Sequence, residues 1–141
     1  MLVPDVNVVL AGFRTDHVHH RVARQFLDEA RSGDEPIGLP MLVLGSVVRL
    51  ATNPRVFVQP DHPRDVLEYL DTLLDPPGQP VVEQPSYWPR FRQLCETLEL
   101  TGNHVPDGHV AAIAIDNGAE LVTFDRGFRR FRRLRWRNLL D

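Results

Sequence analysis

A chain of 141 residues can bury one sizeable core, and 43% hydrophobic with 25% charged residues excludes the disordered, collagenous and disulfide-stapled classes. One domain over residues 1–141 is expected. The net charge of -3 supplies no general positive field for nucleic acid, Cys95 has no partner for a disulfide, and no apolar run nears the roughly 20 residues that span a bilayer. With Met1 leading straight into Leu2-Val3-Pro4-Asp5 and no leader pattern, a cytoplasmic protein without a membrane segment is the expectation.

In chain order, Met1 to Leu10 is short and valine-rich, interrupted by Pro4, Asp5 and Asn7, which predicts a buried central strand. His19 to Arg31 sets Val22, Phe26 and Ala30 at helical spacing before Ser32-Gly33. Pro36 to Leu39 reads as a short strand. Met41 to Ala51 reads as a buried helix, broken near Asn53-Pro54. Pro63 opens a helix running to Leu74, stopped by Asp75-Pro76-Pro77-Gly78. Val81-Val82 predicts a brief strand, and Trp88 to Leu100 a helix with Trp88 and Phe91 in the core. Asp107 to Asn117 predicts a helix capped by Gly118, and Glu120 to Phe124 a last strand. Strands alternating with helices define an α/β fold with a mainly parallel central sheet covered on both faces.

Polar residues that close apolar strands of such a sheet are the first candidates for chemistry. Asp5 and Asn7 share a face if the first strand runs through them, and Thr123 and Asp125 stand in the same relation at the end of the last strand. Asp107 opens the helix that leads into that strand. Clustered carboxylates repel unless a cation offsets them, and a hard ion such as Mg²⁺ or Mn²⁺ takes one or two carboxylates, with water and phosphate oxygens filling its other positions. That arrangement suits phosphodiester hydrolysis. Taken singly, Asp107 also fits a helix N-cap and Asp125 the start of a turn. Asp5, inside Val3-Pro4-Asp5-Val6-Asn7-Val8-Val9, is costly to bury unless paired or ligated. Asn7 and Thr123 are read as hydrogen-bonding supports for the acids.

Asp5-Val6-Asn7-Val8, the run from Val47-Val48-Arg49 to Val56-Phe57, Pro106-Asp107-Gly108-His109 and Leu121-Val122-Thr123-Phe124-Asp125-Arg126-Gly127 together resemble PIN domains of the VapC kind. The likeness covers nearly the whole chain and rests on four weak motifs in the right order. It implies a three-layer α/β/α fold and the toxin of a toxin–antitoxin pair, an endoribonuclease that hydrolyses RNA with a Mg²⁺ or Mn²⁺ ion. Asp5, Asp107 and Asp125 would be its catalytic, metal-binding acids. It further implies a VapB-like antitoxin, a homodimer, and tRNA or rRNA as substrate. Arg49 would contact either phosphate or a carboxylate. Where the family usually has a glutamate, this chain has Ser46, and Gly127 stands in place of a common second aspartate. The alternative is therefore a degenerate PIN fold that binds RNA or antitoxin without cleavage.

Seven of the sixteen basic residues are Arg126, Arg129, Arg130, Arg132, Arg133, Arg135 and Arg137, which form either a phosphate-binding tract or a solvated charged face. His17, His19 and His20 lack the companions of a transition-metal site and are assigned to solvent or a substrate edge. His109 is a lesser candidate for the site edge, and Trp136 is read as an anchor of the tail in the core, with stacking on RNA as the alternative. An aspartyl-phosphate mechanism would want a lysine, and the chain has none.

Overall fold

A computed structural model describes residues 1–141. Five parallel strands, β1 (Leu2–Pro4), β2 (Ile37–Pro40), β3 (Gly78–Val81), β4 (Glu120–Thr123) and β5 (Arg135–Asn138), lie in the order β3-β2-β1-β4-β5. The helices are α1 (Val6–Phe13), α2 (His20–Ser32), α3 (Met41–Ala51), α4 (Pro63–Leu74), α5 (Tyr87–Leu98) and α6 (Val105–Asp116). Helix α1 packs on α2 and α3, α3 packs on α4, and α5 packs on α6. Right-handed crossovers put these two groups on opposite faces of the sheet. The expected α/β/α architecture is thus present, with a sheet that is parallel throughout.

The first strand is shorter than expected. Pro4 pairs with Val122 at its end and has no N–H for a further ladder bond, and Asp5 then accepts a hydrogen bond from the Val6 amide at 2.8 Å to start α1. Val8 and Val9 are wholly buried in that helix, where packing outweighs their strand preference. Asn7 consequently sits on a helix and not on a strand face with Asp5. The third strand begins earlier than Val81-Val82, at Gly78, and Asp107 lies in the first turn of α6, after the cap residue His104. Trp88 is 66% exposed, so its core assignment fails. The cap expected at Gly118 is present, with φ +58°.

The fifth strand was not anticipated. Phe128, Phe131 and Leu134 are buried at spacings of three, and Trp136 packs against the main core from β5. These apolar residues, interleaved with the arginines, were the available signal.

Candidate active site

The sheet order reverses between β1 and β4, and the crevice beyond the carboxyl ends of those strands is where ligands bind in open α/β sheets. Asp5 follows β1, and Asp125 follows β4 by one residue. Asp107 reaches the same place from the start of α6, where the helix dipole favours a negative side chain. All three line one pocket of about 320 Å³, together with Asn7, Ser46 and Arg49. His17 lines it too, and its Nδ1 accepts the His19 amide at 3.0 Å. Sequence reasoning had left His17 at an undefined edge, because nothing in the local pattern shows which pocket a loop histidine faces.

Thr123 ties the acids together. Its hydroxyl donates to Asp5 Oδ2 at 2.7 Å and accepts from Asn7 Nδ2 at 3.2 Å and from the Asp125 amide at 3.0 Å. Asn7 Oδ1 takes the Phe124 amide at 3.2 Å, and Asp125 Oδ1 takes the Gly127 amide at 2.7 Å. One buried hydroxyl therefore joins the β1–α1 junction to the end of β4.

Burial pushes the Asp5 carboxyl up to about 6, against the lowering effect of its Thr123 and Val6 hydrogen bonds, and the charges of Asp107 and Asp125 raise it further. Asp107 is also raised, first by burial and then by Asp125, while His104 and Arg130 oppose the shift. The mutual repulsion places all three carboxylates in one electrostatic field. No three His, Cys, Asp or Glu side chains form a complete ligand cage on their own. Mg²⁺ does not require one, because it usually retains several waters and binds through one or two carboxylates. A carboxyl raised to about 6 chiefly by burial, with two further acids facing it, fits a site for a hard cation.

Of the other candidates, His109 Nε2 lies 2.7 Å from Glu83 and does not line the acidic pocket. His20 bonds the Ala11 carbonyl at 2.8 Å, and the His19 ring packs on Phe124. The largest cavity, about 670 Å³, adjoins the acidic pocket through Leu42, Ser46 and Arg49 and is otherwise walled largely by apolar side chains.

A parallel α/β/α domain with converging acids at its switch point suits metal-assisted hydrolysis of a phosphodiester. The PIN domain model matches residues 2–134, and the chain belongs to that family. The ribonuclease VapC43 of Mycobacterium tuberculosis is 42% identical over 142 residues, covering 100% of this chain and 97% of that protein. Ribonuclease VapC25 of the same organism is 35% identical over 136 residues, with 96% of each chain covered. Among solved structures, VapBC2 from Rickettsia felis bound to a DNA fragment from its promoter matches with a TM-score of 0.73 at 18% identity, over 97% of each chain. The sarcin–ricin loop cleaving toxin VapC20 of M. tuberculosis matches with a TM-score of 0.67 at 14% identity, over 93% of this chain and 95% of that one. These structures share the fold.

Proposed function

We propose that the chain, acting as one domain, is a Mg²⁺- or Mn²⁺-dependent endoribonuclease and the toxin of a toxin–antitoxin pair. The observation that carries this is the shared pocket of Asp5, Asp107 and Asp125, in a chain 42% identical to a VapC ribonuclease along its full length. One or two of the three acids would bind the ion directly and the remainder through its waters, and Ser46, which lines the same pocket, would face it. When bound, such an ion supplies an activated water and offsets charge on the phosphate. Thr123 and Asn7 fix the orientation of Asp5 and of the Asp125 backbone. Arg49, which lines the pocket without a carboxylate partner within ion-pair distance, contacts the substrate phosphate. The substrate is a structured cellular RNA, cut in an unstacked loop.

The partner is a VapB-like antitoxin. The solved neighbours include VapBC complexes, and the apolar cavity beside the acids, with Met41 and Val82 74% and 68% exposed, offers a surface for an antitoxin segment next to the site. No helix is long and apolar enough to cross a membrane. The homodimer and the cytoplasmic location are proposed from the family likeness.

The test is to incubate purified protein with total cellular RNA and Mn²⁺ or Mg²⁺, beside Asp5→Asn and a chelator control, and to map new 5′ ends. Discrete cuts that vanish with the variant and with chelation are expected. No cuts in the wild type would leave a fold that binds RNA or antitoxin without cleaving, and cuts of equal strength in the variant would separate the cleavage from Asp5 and overturn the site.

A further inference from the structure

The seven arginines from Arg126 to Arg137 have no acidic residue among them. Arg126 pairs with Asp141, and Arg137 with Glu120 at 3.0 Å. Arg129, Arg130, Arg132, Arg133 and Arg135 meet no carboxylate within ion-pair distance. Phe128, Phe131 and Leu134 are 1%, 2% and 6% exposed, so an anchor enters the core at every third residue and two arginines are left outside between successive anchors. The cations thus sit on a fixed backbone, which lowers the entropy lost when a ligand orders them.

Three of them share a cleft. Arg130, Arg132 and Arg133 line a cavity of about 350 Å³ between α5 and this segment, with Leu94, Leu98 and Ile115 among its apolar lining. Arg130 also lies against the turn that carries Asp125. Its Nε donates to the Gly127 carbonyl at 2.8 Å, and a Cβ at Gly127 would lie 2.8 Å from Arg130 Nη2 and 2.9 Å from Asp125 Oδ1. The guanidinium therefore lies over the turn that carries Asp125, in the space that a side chain at position 127 would claim. Its field also opposes the upward shift of Asp107.

We propose that this cleft is a binding tract for the substrate RNA on one side of the scissile phosphate, with backbone phosphates on Arg130, Arg132 and Arg133 and an unstacked base on the apolar lining. The tract rests on the ribonuclease reading. Guanidinium forks match phosphate oxygens, and guanidinium planes beside an apolar floor also stack on unpaired bases, which a purely charged peptide does not offer. Arg130, against the Asp125 turn, is the member of the tract nearest the acidic pocket, whose own lining includes one arginine, Arg49.

The test measures binding of a fluorescent single-stranded RNA of about 12 nucleotides, within the usual site sizes for such strands, by anisotropy over a range of salt. The protein carries Asp5→Asn, so cleavage does not interfere. Adding Arg132→Ala and Arg133→Ala should weaken binding about tenfold at about 0.1 M salt and flatten the log–log salt slope by roughly 1.4, at about 0.7 per lost single-strand phosphate contact. Arg24→Ala with Arg31→Ala on α2, in the other helical layer, removes the same charge and should shift neither quantity. Unchanged affinity and slope in the first pair, or equal losses in both pairs, overturns the proposal. So does intact RNA binding accompanied by weaker capture of a polyglutamate peptide, which would give the cleft to a protein partner. Failure of the wild type to cut any RNA would remove the nuclease reading alone, because the binding result is obtained on protein that does not cut.

Discussion

Asp5 has 8% of its surface exposed and a pKa raised from 3.8 to about 6. Because the folded state holds this proton more tightly than the unfolded chain does, protonation favours folding. Stability contributed here is fully present below about pH 3.8, declines as pH rises towards 6, and leaves a deficit of about 3 kcal/mol above it. A bound cation would offset that deficit. In chelator at pH 7, Asp5→Asn should therefore melt at a higher temperature than the wild type, and Mn²⁺ should raise the melting temperature of the wild type but not of the variant. A variant that melts lower in chelator, or responds to Mn²⁺ as the wild type does, would contradict the assignment of both the strain and the metal to Asp5. The supporting hydroxyl can be tested separately. Thr123→Val keeps the shape but leaves Asp5 Oδ2, Asn7 Nδ2 and the Asp125 amide each short of a partner, at a cost of about 2–3 kcal/mol in urea denaturation. Loss of the hydroxyl also removes a bond that lowers the Asp5 pKa, so the acid limb of the pH–rate profile should move to higher pH, and Thr123→Ser should restore both properties.

Elements with long apolar periodicity were the most legible in the sequence. The helices expected at Met41–Ala51 and Pro63–Leu74 have those ends in the structure, because each presents a full apolar face and Pro63 sits where a helix tolerates a missing N–H. The β1–α1 junction was misread because four valines resemble a strand, and the Asp5 cap that turns them into a helix depends on the pairing of Pro4 with β4. Asp5 itself stood out as a charge in an apolar run. That Asn7 supports it could be read from the sequence only through a strand geometry that the helix replaces. Arg14 carried no sequence signal, since its partners are distant in the chain. Its guanidinium, with the side chain 9% exposed, bonds Asp16 at 2.6 Å, Asp61 at 3.0 Å and the Gln59 carbonyl at 2.8 Å, and lies 3.9 Å over the Phe57 ring. The end of α1 is thereby fastened to the loop that follows α3, the helix that brings Arg49 to the pocket. Arg14→Ala should cost about 2–4 kcal/mol in chemical denaturation, and Arg14→Lys should recover less than half, since an ammonium cannot serve the carbonyl, two carboxylates and the ring together. Full recovery by lysine would reduce the contact to its charge.

At the scale of the whole molecule, the catalytic edge of the sheet depends on a strand that reads in the sequence as a run of surface charge. The family match ends at residue 134, yet β5 begins at Arg135, pairs along β4 from Glu120↔Arg135 to Thr123↔Asn138, and is followed by a bond from the Leu139 amide to the Thr123 carbonyl at 3.1 Å. Asn138 Nδ2 adds a bond to the Phe124 carbonyl at 3.0 Å, just before Asp125. A chain ending at Leu134 would expose the backbone of β4 and loosen both sides of the Thr123 hub, so it should lose more than about 3 kcal/mol, associate through its new edge, and show no stabilisation by Mn²⁺. Replacing Arg135 and Arg137 with glutamine removes the charge while keeping the strand. The only ion pair lost is Arg137–Glu120, which is partly exposed, so stability should remain within about 1 kcal/mol of the wild type. Thermal melts and gel filtration of the two variants separate the contributions: a glutamine variant as unstable as the truncation would mean that this segment acts through its charge, whereas near-wild-type behaviour beside a failing truncation assigns it to the sheet that holds the acids in place.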